Sequence, residues 1–154
     1  MRVLLAFDKF KDSLTARQAG SVTARVLHEL HPDWSIELTP MTDGGDGFVD
    51  LLTQSVGGEI HSAQVHGPRG DIVAASFGLV GSDSIPLVAR SFLSLPIDAN
   101  LQGKSAVVEM ALASGLALLP MQERDPWRTS TYGTGEVIRE AIAKGAESII
   151  LGVG

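Results

Sequence analysis

Short apolar runs alternate with longer amphipathic runs over the first 58 residues. Val3 to Phe7 is continuously apolar, which is typical of a buried parallel strand, and Trp34 to Thr39 alternates like a second strand. Thr15 is a candidate N-cap for a helix that Pro32 ends. The apolar residues of that helix recur at helical spacing: Ala19, Val22, Val26, Leu27 and Leu30. A second helix is predicted before Gly57-Gly58, with Phe48, Leu51, Leu52 and Val56 on one face. This β-α-β-α order predicts a parallel sheet with right-handed crossovers.

The pattern changes to short strands and turns after Gly58. Residues 59–65, 72–80 and 85–92 have the composition of strands, and turn-rich segments separate them. Short strands joined by tight turns predict an antiparallel meander, as a second small domain or a flap inserted into the first. Residues 91–104 give no clear prediction.

The last third of the chain returns to an α/β pattern. Ala106 to Ala111 is apolar and strand-like, and the alanine- and leucine-rich segment after it is compatible with a helix. A further helix is predicted from Thr134, with Glu136 in its first turn and Gly145 at its end. Its predicted buried side consists of Val137, Ile138, Ala141 and Ile142. Ser148 to Val153 is another apolar strand.

The ending Gly152-Val153-Gly154 looks like the start of a phosphate-binding βα turn that no helix follows. We therefore expect the chain to be the N-terminal part of a longer protein; the alternative is a natural C-terminal strand. The predicted fold is α/β, with a parallel flavodoxin- or Rossmann-like sheet and an inserted, mostly antiparallel β-rich second domain. The predicted division is 1–58 for the first part of the α/β domain, 59–105 for the start of the inserted domain, and 106–154 for an incomplete α/β segment.

Composition narrows the class of protein. The chain has 154 residues, of which 44% are apolar and 19% charged, and this balance favours a soluble globular protein with a real core. The net charge of -6 argues against nucleic acid as a main partner. The absence of cysteine excludes disulfides and thiolate metal sites. No segment has the length of a membrane span and the start is not a secretion signal, so we expect no membrane partner and a cytoplasmic location.

Three glycines and two carboxylates stand together at Asp43 to Gly47, between a predicted strand and a predicted helix. Gly44, Gly45 and Gly47 allow backbone N–H groups to approach an anion at the helix terminus. Asp43 and Asp46 suit a metal ion or the orientation of a hydroxyl nucleophile. The alternative is a plain turn in which Asp43 is an N-cap.

A second charged loop, Asp8 to Leu14, directly follows the first strand. Open α/β folds bind ligands at this carboxyl end of the sheet. Lys9 and Lys11 are suited to neutralise phosphate oxygens, and Asp8 to face a metal ion or a hydroxyl group. The alternative is a solvated loop with no ligand.

The third polar stretch is Arg124 to Glu136. Its guanidinium groups, its hydroxyls and its glycines stand ahead of a helix, where they suit a carboxylate or phosphate ligand. The alternative is a capped helix behind a surface loop. Residues 67–70 are better explained as a hairpin turn than as a site. Glu109 lies in an apolar strand, so its carboxylate is either paired or functional.

Taken in order, these stretches resemble the bacterial type I glycerate kinase family. The residues that carry the resemblance are Ala6–Ala16, Thr42–Gly47, His66–Gly70, Val108–Leu116, Arg124–Pro126, Thr131–Glu136 and Ile149–Gly154. Three positions depart from the family pattern: Phe7 replaces proline, Asp12 replaces glycine and Asp46 replaces the more common glutamate. Family members are considerably longer than this chain.

The resemblance implies ATP-dependent phosphorylation of D-glycerate to 2-phosphoglycerate with Mg²⁺, in a cleft between two α/β domains. Phosphoryl transfer depends mostly on positioning and on neutralising phosphate charge. The implied catalytic residues are Asp43, Asp8 and Lys11, with Asp43 and Asp46 as metal ligands. ATP would be bound by Lys9, Gly44, Gly45 and Gly47, and glycerate by Arg124, Thr129, Ser130 and Thr131. Which carboxylate is the base and which binds metal stays open.

Two other functions are compatible with the sequence. One is a nucleotide- or anion-binding module without catalysis. The other is a dinucleotide-dependent dehydrogenase, which the Gly-Val-Gly ending favours, although Lys9 and Lys11 are unusual in the first loop of that fold.

Overall fold

The computed structural model describes residues 1–11, 13–95 and 102–154. It divides into two compact units, Met1–Asp43 and Gly44–Gly154. The glycine-rich loop is therefore shared, since Asp43 is the last residue of the first unit and Gly44 begins the second.

The first unit is a β-α-β segment. Strand β1 (Arg2–Leu5) pairs in parallel with β2 (Ser35–Leu38), and helix α1 (Ala16–Leu30) connects them. The helix begins as predicted at Thr15, whose side chain accepts the N–H of Gln18 while the Gln18 side chain accepts the N–H of Thr15. This reciprocal capping box satisfies two backbone donors that would otherwise lack partners.

The second unit is built on a sheet in which β3 (Glu59–His66), β4 (Ile72–Gly81), β5 (Lys104–Glu109) and β6 (Ala146–Gly152) follow one another in space. The β3–β4 and β4–β5 pairs are antiparallel, and β5–β6 is parallel. The helices are α2 (Phe48–Ser55), α3 (Leu87–Phe92), α4 (Met110–Ser114) and α5 (Tyr132–Ala143). The predicted β3–β4 hairpin is confirmed.

Alternate residues of β5 serve two hydrophobic cores, one on each face of this sheet. Ala106 and Val108 join a core with Phe77 and residues of α5, while Val107 joins a core with Val49 of α2. All of these residues are almost completely buried. The sheet of the second unit is therefore covered by helices on both faces, which explains why β5 reads as a continuous apolar run.

The strand predicted at residues 85–92 is wrong, because Leu87–Phe92 forms helix α3. An apolar run of this length does not distinguish a strand from a helix, and Pro86 immediately before it favours a helix start. The buried guanidinium of Arg90 fixes the turn by donating to the carbonyls of Ile85 and Asp83.

Helix α5 also differs in detail from the prediction. It begins at Tyr132, two residues earlier than expected, so Glu136 lies beyond the first turn. Val137 and Ala141 are buried as predicted, whereas Ile142 is 56% exposed. Gly145 ends the helical segment with a positive φ of 94°.

The structure confirms a mixed α/β protein with both parallel and antiparallel strand pairs. The inserted β-rich domain and the division at residues 58 and 105 stay predictions. In the described part of the chain, no helix is both long and apolar enough to cross a membrane.

Candidate active site

The segments that follow β1 and β2 remain side by side after the strands end. The N–H of Thr39 donates to the carbonyl of Leu5 at 2.9 Å, and the N–H of Met41 donates to the carbonyl of Phe7 at 2.7 Å. The parallel pairing therefore continues past β2, which brings the chain near Asp8 alongside the chain near Asp43. This is the carboxyl edge at which open α/β folds bind ligands.

Lys9 joins the two segments. Its ammonium Nζ lies 2.9 Å from Oδ1 of Asp43, and its backbone N–H donates to Oδ1 of Asp8 at 2.6 Å. The Lys9 side chain is 20% exposed, whereas the Asp43 side chain is 56% exposed. The structure thus brings together three of the predicted residues, while Lys11 lies exposed farther along the same loop.

In the second unit, Gly44 and Gly47 both have left-handed backbone conformations, with φ of 92° and 90°. Side-chain-bearing residues seldom adopt these angles, so the glycines are required by the path of the loop. Gly44 lies against the end of β6, where a side chain on Gly152 would come within 2.5 Å of the Gly44 carbonyl oxygen. The absence of a side chain on Gly152 is what allows this close backbone approach.

Glu109, at the end of β5, is only 2% exposed. Its Oε2 accepts the backbone N–H of Val49, at the start of α2, at 3.2 Å. Burial raises the pKa of the Glu109 carboxyl; the Val49 N–H opposes this shift and the charge of Asp46 adds to it. The sequence predicts that Glu109 is either paired or functional, and the structure shows that its carboxylate accepts a backbone N–H at the start of α2.

The hydroxyls predicted to bind substrate make local hydrogen bonds. Thr129 donates its hydroxyl to the carbonyl of Asp125 at 3.1 Å, and the Ser130 hydroxyl accepts the N–H of Tyr132 at 3.0 Å. Arg124 donates Nε to the carbonyl of Leu119 at 3.2 Å. Thr131 precedes α5 and makes no side-chain cap.

This stretch instead packs on the turn between β3 and β4. Ser130 donates its N–H to the carbonyl of Pro68, and Glu136 accepts both the N–H and the ring Nδ1 of His66, at 2.8 and 2.9 Å. The hydrogen bonds from His66, backbone first, hold the pKa of Glu136 below its ordinary value. Sequence reasoning missed this pair because 70 positions separate its members, and no local pattern marks it.

The described residues contain no cluster of three or more side chains of the types that bind metals. Mg²⁺ is commonly bound by only one or two carboxylates together with substrate phosphates. Asp43, in the first unit, and Asp46, in the second, are both exposed.

The fold and these loops define an α/β protein with charged and glycine-rich loops at the carboxyl ends of its parallel strands. Comparison with known proteins identifies the family. The chain belongs to the glycerate kinase family, whose model matches residues 3–154. The resemblance inferred from the sequence is therefore confirmed.

Relatives match along essentially the whole chain. A glycerate kinase of Halalkalibacterium halodurans is 39% identical over 99% of this chain, and a glycerate 2-kinase of Escherichia coli is 36% identical over all of it. A crystal structure named as a glycerate kinase 2 from Salmonella typhimurium LT2 superposes with a TM-score of 0.70 at 36% identity, covering all of this chain and 36% of that one. The chain spans about 35% of the length of the two curated relatives.

Proposed function

We propose that the protein containing this chain transfers a phosphoryl group from ATP to the 2-hydroxyl of D-glycerate, giving 2-phosphoglycerate. The observation that carries this proposal is the Asp8–Lys9–Asp43 cluster at the carboxyl ends of two parallel strands. It occurs in a chain whose relatives are named glycerate kinases and glycerate 2-kinase. These names favour a kinase over the dinucleotide-dependent dehydrogenase that the Gly-Val-Gly ending left open.

In this proposal, cations near β1 offset the charge of the phosphate oxygens. The ammonium group of Lys9 is held by the Asp43 carboxylate, while the backbone N–H of Lys9 donates to Asp8, so the ammonium group is already positioned before substrate binds. Lys11 lies in the same loop and is exposed. Neutralising the equatorial oxygens is the main electrostatic requirement of phosphoryl transfer.

The carboxylates near this loop are assigned to the acceptor hydroxyl and the metal ion. Asp43 is exposed enough for a substrate hydroxyl to approach it, and an aspartate that accepts the hydroxyl proton is a recurring part of kinase sites. Asp8 is the second candidate for this role. Asp43 and Asp46 are the candidates that would hold Mg²⁺, which would help to neutralise the charge of the phosphate oxygens.

The remaining roles follow the chemistry of each group. Gly44, Gly45 and Gly47 offer backbone N–H groups to ATP without a side chain in the way. The exposed guanidinium of Arg124 suits the glycerate carboxylate, because an arginine can bind a carboxylate through two parallel hydrogen bonds. Thr129, Ser130 and Thr131 are assigned to the glycerate hydroxyls.

The test replaces Asp43 with asparagine in the whole gene product and measures ATP-dependent phosphorylation of D-glycerate, with the product identified by phosphorus NMR. Loss of a general base lowers kcat by about 10²- to 10⁴-fold. Asp33→Asn is the matched control, because Asp33 is exposed in the same unit and outside the proposed site. Wild-type kcat in Asp43→Asn would remove Asp43 from the mechanism.

The assay also separates this proposal from a binding module without catalysis. If the wild-type protein binds ATP but gives no phosphoglycerate from D-glycerate, the kinase assignment fails. If the product is 3-phosphoglycerate, the reaction class stands and the proposed position of transfer is wrong.

A further inference from the structure

We propose that Glu109 is a positioning residue whose buried carboxyl fixes the start of α2 and thereby the glycine-rich loop segment Gly44–Gly47. The loop is held on the carboxyl ends of β5 and β6 by contacts from residues distant in sequence. The consequence for catalysis depends on the proposed function, whereas the structural anchoring does not.

The start of α2 has no cap of its own. Its N-cap position is Gly47, which has no side chain to accept a hydrogen bond. The N–H of Phe48 donates back to the carbonyl of Gly45 at 3.0 Å, and the N–H of Val49 belongs to the set that a helix cannot satisfy internally. Oε2 of Glu109 accepts that N–H from 60 positions away in sequence. A long-range carboxylate thus replaces the local serine, threonine or aspartate cap.

The neighbouring strand supplies the second support. Glu109 of β5 lies opposite Gly152 of β6 in the parallel register. A side chain on Gly152 would come within 2.5 Å of the Gly44 carbonyl oxygen and 2.6 Å of the Phe48 ring. The end of β6 therefore contacts the loop on both sides of Gly45 and Asp46, while the end of β5 holds the first turn of the helix. Movement of the loop away from the sheet breaks both contacts.

Burial and the charge of Asp46 raise the pKa of Glu109, whereas the backbone N–H groups of Val49, Phe48 and Gly47 lower it. Oε1 is buried and has no hydrogen-bond partner within the described residues. The Asp46 carboxylate is the charged group that acts on Glu109, and its repulsion adds to the effect of burial. An apolar residue of similar volume would avoid both penalties and would still fill the core. What it could not do is accept the Val49 N–H, so the cap is the property that distinguishes Glu109.

Three variants of the whole gene product test the proposal. Glu109→Gln retains an acceptor for Val49 and removes the charge, and Glu109→Met retains similar volume without an acceptor. Ser105→Ala is the matched control, since Ser105 is completely buried at the other end of β5 and bonds to Ser82 and Ser148. Each variant is compared by thermal melt, by hydrogen exchange of residues 44–56, and by kcat and KM with ATP and D-glycerate, all measured well below the melting temperature.

We expect faster exchange at residues 44–56 in Glu109→Met and a loss of kcat/KM of about 10- to 100-fold, as for a small misplacement of a reacting group. Glu109→Gln is expected to stay near the wild type in both measurements. Ser105→Ala is expected to melt earlier but to keep wild-type kcat/KM and wild-type exchange in the loop. A Glu109→Met variant that only melts earlier, with kinetics and exchange like those of Ser105→Ala, overturns the proposal.

If Glu109→Met gives no cooperative melt, Glu109→Asp replaces it. This variant keeps the charge but withdraws the carboxylate by one methylene from Val49, so it should raise exchange in the loop and lower kcat/KM. Wild-type values in both would refute anchoring by Glu109. If the wild-type protein does not phosphorylate glycerate, the proposed function fails, while the exchange measurement still decides whether Glu109 holds the loop.

Discussion

Two glycines in helix α5 allow a direct test of how the helix packs on the β3–β4 turn. Gly133 is buried, and a Cβ on it would lie 2.9 Å from the carbonyl carbon of His66 and still closer to the oxygen. Gly135, two residues later, has open space around the same position. We predict that Gly133→Ala destabilises the protein and that Gly135→Ala does not.

The size of the effect follows from these distances. Ordinary contact begins at 3.4 Å, so the His66 carbonyl carbon must retreat by about half an ångström from a Cβ on Gly133, and the oxygen by more. Both atoms belong to the backbone and cannot rotate away. Overpacking of this kind costs about 1–3 kcal/mol. Replacing a helical glycine with alanine gains about 0.5–1 kcal/mol, and both variants receive that gain, so their difference isolates the clash at His66.

The assay is urea denaturation of the whole gene product, monitored by far-UV circular dichroism. Gly135→Ala should have a midpoint at or above that of the wild type, and Gly133→Ala a midpoint clearly below both. If the two variants unfold at the same urea concentration, the close backbone approach of Gly133 to His66 is refuted.

Two further predictions concern buried or paired polar groups. Because the pKa of Glu136 is lowered in the folded state, its contribution to stability is present above the ordinary value of 4.5 and is lost as the pH falls through the lower folded value. Glu136→Gln should therefore reduce the slope of the unfolding free energy against pH on the acid side. The control is Glu140→Gln on the same helix, which should keep the wild-type slope. Equal slopes in the two variants would contradict the prediction. Thr53→Val removes a buried hydroxyl that has no partner in the described part of the chain, so it should raise stability by about 1 kcal/mol or more. A lower melting temperature in Thr53→Val would show that the hydroxyl is bonded in solution.

Periodicity predicted most of the elements but failed where a short apolar run was ambiguous. Thr15 was correctly identified as a helix start because a capping box lies within four consecutive residues. Residues 85–92 were assigned to a strand because the pattern cannot weigh the contacts of Arg90, whose guanidinium bonds depend on a turn that forms only in the folded chain. Ile142 was predicted to be buried from its spacing in α5, yet the packed sheet leaves it exposed.

The sequence by itself determined the α/β class, the order of most elements, and the loops that carry charge and glycine, because local periodicity and capping depend on neighbouring residues. The family also followed from its ordered motifs. Tertiary structure alone decided that Lys9 bonds to Asp43, that Glu109 caps α2, and that Glu136 binds His66. Each of these links includes a contact between residues at least 34 positions apart, and such contacts exist only once strand pairing and helix packing have brought the segments together.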